Sequence, residues 1–505
     1  MTSSDSLNTA SHILFSAVPA WGHVRPFCVL AARLVLENDN VVVTLLLSPN
    51  LLDKAQAEIS AEFRDRETQS RRRRVRVFSS YSSNAEDPFS LMGPLIQTYP
   101  AIYQALVENK PVSCSVTKTV FDAVSPPDVV VLDFFSHAQM LATRAITGRS
   151  VPIIAWLTGH VATSIRFWGP QSLGGYGDIE RQIDEEVART GSSRKEIGDR
   201  LYNFNKRTNG EVVKIVGLPD MYDWEYFPQN VSHISLLVWK SGLKEVDAVF
   251  VTSTFALENE SINAVYVIGP LLPSGYGVVS ENARGSTDTE EFLQRARVNY
   301  GDKSVTLISF GTVFWPTAQE YIEEAIEAFV EKDAPFILCY ASPFAKISDD
   351  LIKKIQKSGI GLISKWFPQQ YILNHPFMTH GGHNSVMESL GSGIPMICWP
   401  FEADQPAAAA HLSLNLKVAF ELIEVRTSEN GMKPLLRSGR RPSGTREAVG
   451  VEIRQVIGSC RGEKGQELRK NATILKAELS RAWERDGISR SELLRFSEKH
   501  NLQLL

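Results

Sequence analysis

Long apolar runs are absent from this 505-residue sequence. Nothing approaches the ~18 residues that a membrane-spanning helix needs, so no span is expected. Cysteine is scarce: Cys28, Cys114, Cys339, Cys398 and Cys460 are scattered, several inside apolar runs and none at metal-ligand spacing. That argues against a disulfide framework and fits reduced core residues. An excess of one charge is also missing. The formal net charge of -4 gives no general attraction to nucleic acid or an anionic surface. The N-terminus, MTSSDSLNTASH, has no basic residue and no apolar core, so a cytoplasmic chain without a signal peptide is expected. No G-x-G-x-x-G follows the first apolar run, which disfavours a nicotinamide-dependent dehydrogenase. No D-x-D occurs in the chain, so the acidic metal clamp of that form is not available.

What is present is a globular composition, 43% apolar and 22% charged. At this length more than one domain is expected, because single cores stop growing near ~250–300 residues. The runs HILFSAV, VVVTLLL, VRVFSS, VVVLDFF and VPIIAWL alternate with helix-like stretches, which argues for a parallel sheet covered on both faces. After Pro270 the rhythm restarts with SVTLISF, PFILCY, IGLIS, FMTH and PMICWP. Between them, from Pro273 to about Asp288, lies a Gly/Ser-rich stretch that reads as a linker. Residues 316–330 read as a helix with Pro316 in its first turn and Ile322, Ala325, Ile326 and Phe329 on one face. The arginines Arg71 to Arg74, with Arg76, read as a solvated loop end rather than a nucleic-acid patch.

The segment Trp366 to Gln405, WFPQQYILNHPFMTHGGHNSVMESLGSGIPMICWPFEADQ, carries the most chemistry. Phe377 to Thr379 can end a strand, His380-Gly381-Gly382 a turn, and Asn384 to Leu390 the start of a helix. A glycine pair lets backbone approach a ligand, and the free N–H groups of a helix start favour phosphate oxygens. His380, Asn384 and Ser385 add side-chain donors there. Glu388 shares a helix face with Asn384 and can reach a group just beyond the phosphates, such as ribose hydroxyls. Trp366 offers a flat face to a base. Asp404-Gln405, on the loop after the next strand, can hydrogen-bond the vicinal hydroxyls of a hexose. Singly, the glycines read as an ordinary turn, Trp366 as core and Asp404 as a helix cap. Their order along one strand-helix-strand segment argues for a sugar-nucleotide site.

At W-x-P-Q-x-x-I-L-x-H-P, N-S-x-x-E, G-x-P-M and W-P the segment resembles the signature box of the plant UDP-glycosyltransferases. Its T-H-G-G and A-D-Q-P pieces are similar to animal and bacterial forms of that family. The resemblance implies a GT-B type α/β fold, two facing Rossmann-like doubly wound parallel-sheet domains. The residues divide the chain into a first domain over 1–265, in which about 169–217 breaks the strand-helix rhythm and reads as an insertion over the acceptor side, a linker over 266–288 and a second domain over 289–480. The resemblance makes these the acceptor-binding and UDP-sugar-binding domains and implies a last helix within 481–505 that crosses back. By the same resemblance Trp366 stacks on uracil, with Phe367 and Gln369 near base and ribose. His380, Gly382, Asn384 and Ser385 hold the diphosphate, Glu388 the ribose, Asp404 and Gln405 the sugar. Gly311-Thr312, after SVTLISF, is similar to the family's second phosphate contact. The chain departs from the plant box in two places. It is shorter between His375 and His380, and His383 stands where the plant pattern has Trp, close to the sugar, which leaves the donor sugar open.

Transfer also needs a base. Ligands of doubly wound folds sit at the carboxyl ends of strands, where His23 and Asp133 fall. A histidine can take a proton from a hydroxyl near neutral pH, and a carboxylate on its other nitrogen stabilises the cation formed. Alone, His23 reads as a turn residue and Asp133 as a cap, but GHVRP resembles the family's G-H-x-x-P element, whose His is the base. Phe134, Trp156, Trp168 and Phe314, with Phe135, Phe167 and Trp315 nearby, either line an apolar acceptor pocket or belong to the core. The expected activity is inverting transfer of a hexose, glucose first, from UDP-sugar to a small lipophilic acceptor by a monomer. It needs no metal and no cofactor beyond the co-substrate. A silent UDP-sugar binding protein and a nucleotide-sugar hydrolase or epimerase remain the alternatives.

Overall fold

A computed structural model of the protein describes residues 11–64, 66–230, 244–258, 265–274, 287–367, 369–373 and 375–505. Most of the N-terminal stretch read for a signal peptide and of the expected linker (275–286) lies outside them. In the first domain β1 (Ser11–Ser16), β2 (Val41–Leu46), β3 (Val75–Phe78), β4 (Val129–Asp133), β5 (Ile153–Leu157), β6 (Ala248–Val251) and β7 (Tyr266–Val267) form one sheet, ordered β7-β6-β5-β4-β1-β2-β3. In the second, β8 (Thr306–Ser309), β9 (Phe336–Cys339), β10 (Gly361–Ser364), β11 (Phe377–Thr379), β12 (Met396–Cys398) and β13 (Ala419–Glu421) follow the order β10-β9-β8-β11-β12-β13. Every pairing in both sheets is parallel.

Parallel strands covered on both faces read as unbroken apolar runs, and β2, VVVTLL, is buried at all six positions. The expected strand runs are all strands. Three further short strands, β6, β7 and β13, complete the sheets. The residues expected to open the linker, 266 and 267, instead pair with Phe250 and Val251 as the edge of the first sheet. The helix expected from Pro316 begins at Gln319 (α5, Gln319–Glu331), so Pro316 lies before the first turn, while Ile322, Ala325, Ile326 and Phe329 are buried as read.

The helices that matter for the site are α1 (Trp21–Glu37), α2 (Leu52–Ser60), α3 (Pro88–Val107), α4 (Val161–Trp168), α5, α6 (His383–Ser392), α7 (Gln405–Leu414) and α8 (Ile488–Lys499). The arginine cluster forms a 3-10 turn in which Arg71 and Arg74 pair with Asp39. Arg76 is not solvated; it is buried in β3 with its guanidinium over Phe121. All five cysteines are unpaired. Among the described residues no helix is long and apolar enough to cross a membrane.

The insertion supplies Ile179, Ile183, Ile197 and Phe204 to a small core shared with the flanking Phe167 and Tyr226 and closed by Ala407 and Ala410 of α7. It is therefore seated on the second domain, not confined to the first. Just after it, Arg437 pairs with both Glu225 and Glu421, and Trp224 Nε1 donates to Pro434 O at 2.9 Å. Helix α8 crosses back: Phe496, fully buried, lies edge-on to Phe250 (4.6 Å) and Tyr266 (5.3 Å). Replacing Phe496 with Ala is expected to cost about 3–5 kcal/mol, read as a lower midpoint in urea unfolding.

Candidate active site

Each sheet reverses its strand order beside its first strand, between β1 and β4 and between β8 and β11. Crevices at such switch points, beyond the carboxyl ends of the strands, are where ligands fit. The first turn of α1, just after β1, brings His23 and the end of β4 brings Asp133; the loops after β8 and β11 bring Gly311, Thr312, His380 and Gly382. A cleft of about 940 Å³ runs between the two domains there. Its lining includes His23, every residue expected at the donor site, and Phe314.

His23 Nδ1 lies 2.8 Å from Asp133 Oδ2 and 3.0 Å from Thr158 Oγ1. Asp133 is fully buried, and its other oxygen accepts from Phe135 N at 3.0 Å, so it serves both as a turn cap and as a histidine partner. Burial disfavours the His23 cation. The charge and hydrogen bond of Asp133, with Asp404 adding, outweigh it and raise the pKa above its ordinary 6.5.

At the second switch point β11 ends at Thr379 and α6 starts at His383, with Gly382 before it. A Cβ on Gly382 would come within 2.3 Å of His380 Nε2, and one on Gly311 within 2.9 Å of His380 Cε1. Gly311 also has φ +75°, so a side chain is strained there twice over. The two glycines make room for the His380 ring, whose pKa burial lowers to about 4, keeping it neutral. Asn384 and Ser385 line the first turn of α6.

Trp366, 62% exposed, presents its ring to the cleft and is no core residue, whereas Phe367 is buried among apolar neighbours. Gln369 Nε2 donates to Glu388 at 2.6 Å. Asp404 makes no side-chain cap on α7; its Oδ2 accepts from His160 N across the domain boundary at 3.3 Å, and burial raises its pKa to about 6. Gln405 turns inward, its Oε1 accepting from Phe401 N at 2.9 Å. His383 is buried edge-on to His160, ring centroids 4.9 Å apart, and burial lowers its pKa to about 3.

Three residues expected on the acceptor side do not line the cleft. Trp156 is fully buried in β5, stacked on Phe27 at 4.1 Å with its Nε1 donating to His23 O. Phe134 is buried against Trp168, rings 4.6 Å apart. Large rings at the ends of parallel strands are drawn into the layer between sheet and helices. Sequence reading missed Thr158, Arg25 and His160. Arg25 lies inside the quoted GHVRP, but its partner is 363 positions away, so no local signal could show the pairing. Among the described residues no group of three or more His, Cys, Asp or Glu could hold a metal ion.

Gly311→Ala is expected to lower stability by about 1–2 kcal/mol. Gly458→Ala, in the exposed interior of the helix Arg446–Arg461 with open space around the new methyl, is expected to raise it by about 0.5–1 kcal/mol. Thermal unfolding of the two variants checks both signs.

Sequence comparison aligns residues 266–437 with the family described as UDP-glucoronosyl and UDP-glucosyl transferase. UDP-glucosyltransferase 45 of Panax ginseng is 30% identical over 513 residues, 97% of each chain. UDP-glycosyltransferase eriJ of Hericium erinaceus is 27% identical over 518 residues, 96% of this chain and 97% of its own. Among solved structures, Phytolacca americana UGT2 complexed with UDP-2fluoro-glucose and pterostilbene superposes with a TM-score of 0.62 at 17% identity, over 97% of this chain and 100% of its own. A transferase from Siraitia grosvenorii in complex with UDP gives 0.64 at 17%, over the same shares. These structures have the same two-domain GT-B fold. With the ginseng relative matching along nearly the whole of both chains, the protein belongs to the UDP-glycosyltransferase family and is an enzyme of that class.

Proposed function

We propose that the enzyme moves a hexose, glucose first, from a UDP-sugar to a hydroxyl of a small lipophilic acceptor with inversion at the anomeric carbon. One observation carries this reading: a His23–Asp133 pair at 2.8 Å opens onto the same cleft as the phosphate-side turn and Asp404. With Nδ1 engaged by Asp133, Nε2 is the nitrogen that takes the acceptor proton. The acceptor oxygen attacks the anomeric carbon, the bond from that carbon to the diphosphate oxygen breaks, and UDP leaves with the electron pair. Asp133 stabilises the imidazolium. The start of α6, neutral His380, Asn384 and Ser385 meet the phosphate charge, so the step as written needs no metal. Trp366 faces the base, Glu388 the ribose and Asp404 the sugar hydroxyls. The glucosyl donors named for the ginseng and Phytolacca proteins support glucose. Pterostilbene in the latter supports a flat lipophilic acceptor, lying beside Phe314. Five unpaired cysteines support a reducing, cytoplasmic setting, and the chain acts in this reading as a monomer.

UDP release is measured from a panel of UDP-sugars with and without phenolic and terpenoid acceptors. Release that requires an acceptor and persists in chelator is expected. Release without one would instead make the enzyme a hydrolase, and binding without release a silent sensor. His23→Ala should keep UDP binding and lose about 10²–10⁴-fold in turnover.

The base works deprotonated. Because Asp133 and Asp404 raise the His23 pKa, the rate of the native enzyme should fall on the acid side through a limb above pH 6.5. Asp133→Asn removes the largest raising influence and should move that limb to lower pH, besides lowering the plateau. A limb that stays in place would remove His23 as the titrating base.

A further inference from the structure

Helix α1 carries His23 and also touches the helix that faces the phosphates. Pro26 lies inside α1 and has no N–H, so the carbonyl four residues earlier, that of Gly22, loses its helical donor. Asn384 of α6 replaces it from the other domain, its Nδ2 donating to Gly22 O at 2.6 Å. One turn along both helices, Arg25 Nη1 donates to Glu388 Oε1. Gly22 and Arg25 are three apart on α1, Asn384 and Glu388 four apart on α6, so the two contacts follow one face of each helix. Arg25 is forked: its Nε donates to Glu58 of α2 at 2.8 Å. The second Glu388 oxygen accepts from Gln369 at 2.6 Å. The Arg25 and Glu388 side chains are only 14% and 10% exposed, and a carboxylate in so dry a place takes up a proton unless a cation opposes it.

We infer that Arg25 is a positioning residue for the donor, holding Glu388 ionised at the ribose end of the cleft while fixing the His23 helix against the phosphate-side helix. The inference rests on reading the cleft as a UDP-sugar site. A carboxylate offers about four acceptor positions, and Arg25 and Gln369 take one on each oxygen, so both oxygens keep room for a ribose hydroxyl. Burial already pushes the Glu388 carboxyl up and Glu58 adds to it; Arg25 is the opposing charge. Without Arg25, two neighbouring carboxylates lose their shared cation, and Glu388 becomes a protonated group that accepts poorly from a diol.

The test is calorimetric titration of UDP into the full chain and its Arg25→Met and Arg25→Lys variants, with thermal unfolding and steady-state kinetics alongside. Arg25→Met should weaken UDP by about tenfold or more, the scale of a lost charged hydrogen bond. The loss should grow toward acid pH as Glu388 gains its proton, and the donor KM should rise while the acceptor KM holds. Arg25→Lys should recover part of the affinity, because a point charge keeps Glu388 ionised but cannot fork to two carboxylates. Unchanged UDP affinity in a natively stable Arg25→Met would overturn the role. So would Met and Lys variants that behave alike at every pH. A native chain that fails to bind UDP would sink the site reading and this role with it. UDP binding that weakens in Arg25→Met, in a chain without turnover, would support Arg25 while sinking the transferase reading.

Discussion

Where strand order reverses in a parallel sheet, the two neighbouring crossovers leave in opposite directions and open a crevice that no helix fills. Both sheets of this protein reverse beside their first strand, and the two crevices face each other. The rest of the site depends on that constraint. His23 and Asp133 come from elements more than a hundred residues apart, yet β1 and β4 are neighbours, so the helix start that follows one and the end of the other must meet. The same geometry brings Gly311 beside His380, where only a glycine leaves space for the imidazole.

Burial then sorts the titratable groups of the cleft. His380, His383 and His160 are pushed well below the ordinary histidine range and stay neutral, so they act as polar rings rather than cations. His23 alone is raised, because its carboxylate partner outweighs its own desolvation. Asp404 and Glu388 are shifted upward by burial, and each is held by a contact from the opposite domain, a backbone N–H of His160 in one case and Arg25 in the other. The electrostatics of the cleft are therefore a property of the two domains together and not of either alone.

Contacts away from the cleft keep that pair together. The insertion packs under α7, the helix that begins just after Asp404, and Arg437 joins Glu225 of the first domain to Glu421 of the second. At the opposite end of the chain α8 returns to the first sheet and seats Phe496 against its edge strands. The loop bearing Asp404 is thus supported from below by residues that the sequence places in the first domain.

The sequence by itself determined the two parallel sheets, since strands buried on both faces must read as apolar runs, and it determined the strand-turn-helix segment that lines the cleft, because glycines, helix start and polar residues follow one another there. Short strands such as β7 escaped because two or three residues carry no periodicity. Only the tertiary structure decided which aromatic rings face the cleft: Phe314 does, while Trp156 and Phe134 are absorbed by the layer between sheet and helices. It also decided that Asp404 reaches His160 instead of capping its own helix, and that Arg25 meets Glu388. Those are pairings across hundreds of residues, fixed by how two rigid sheets dock, and nothing local in a chain encodes them.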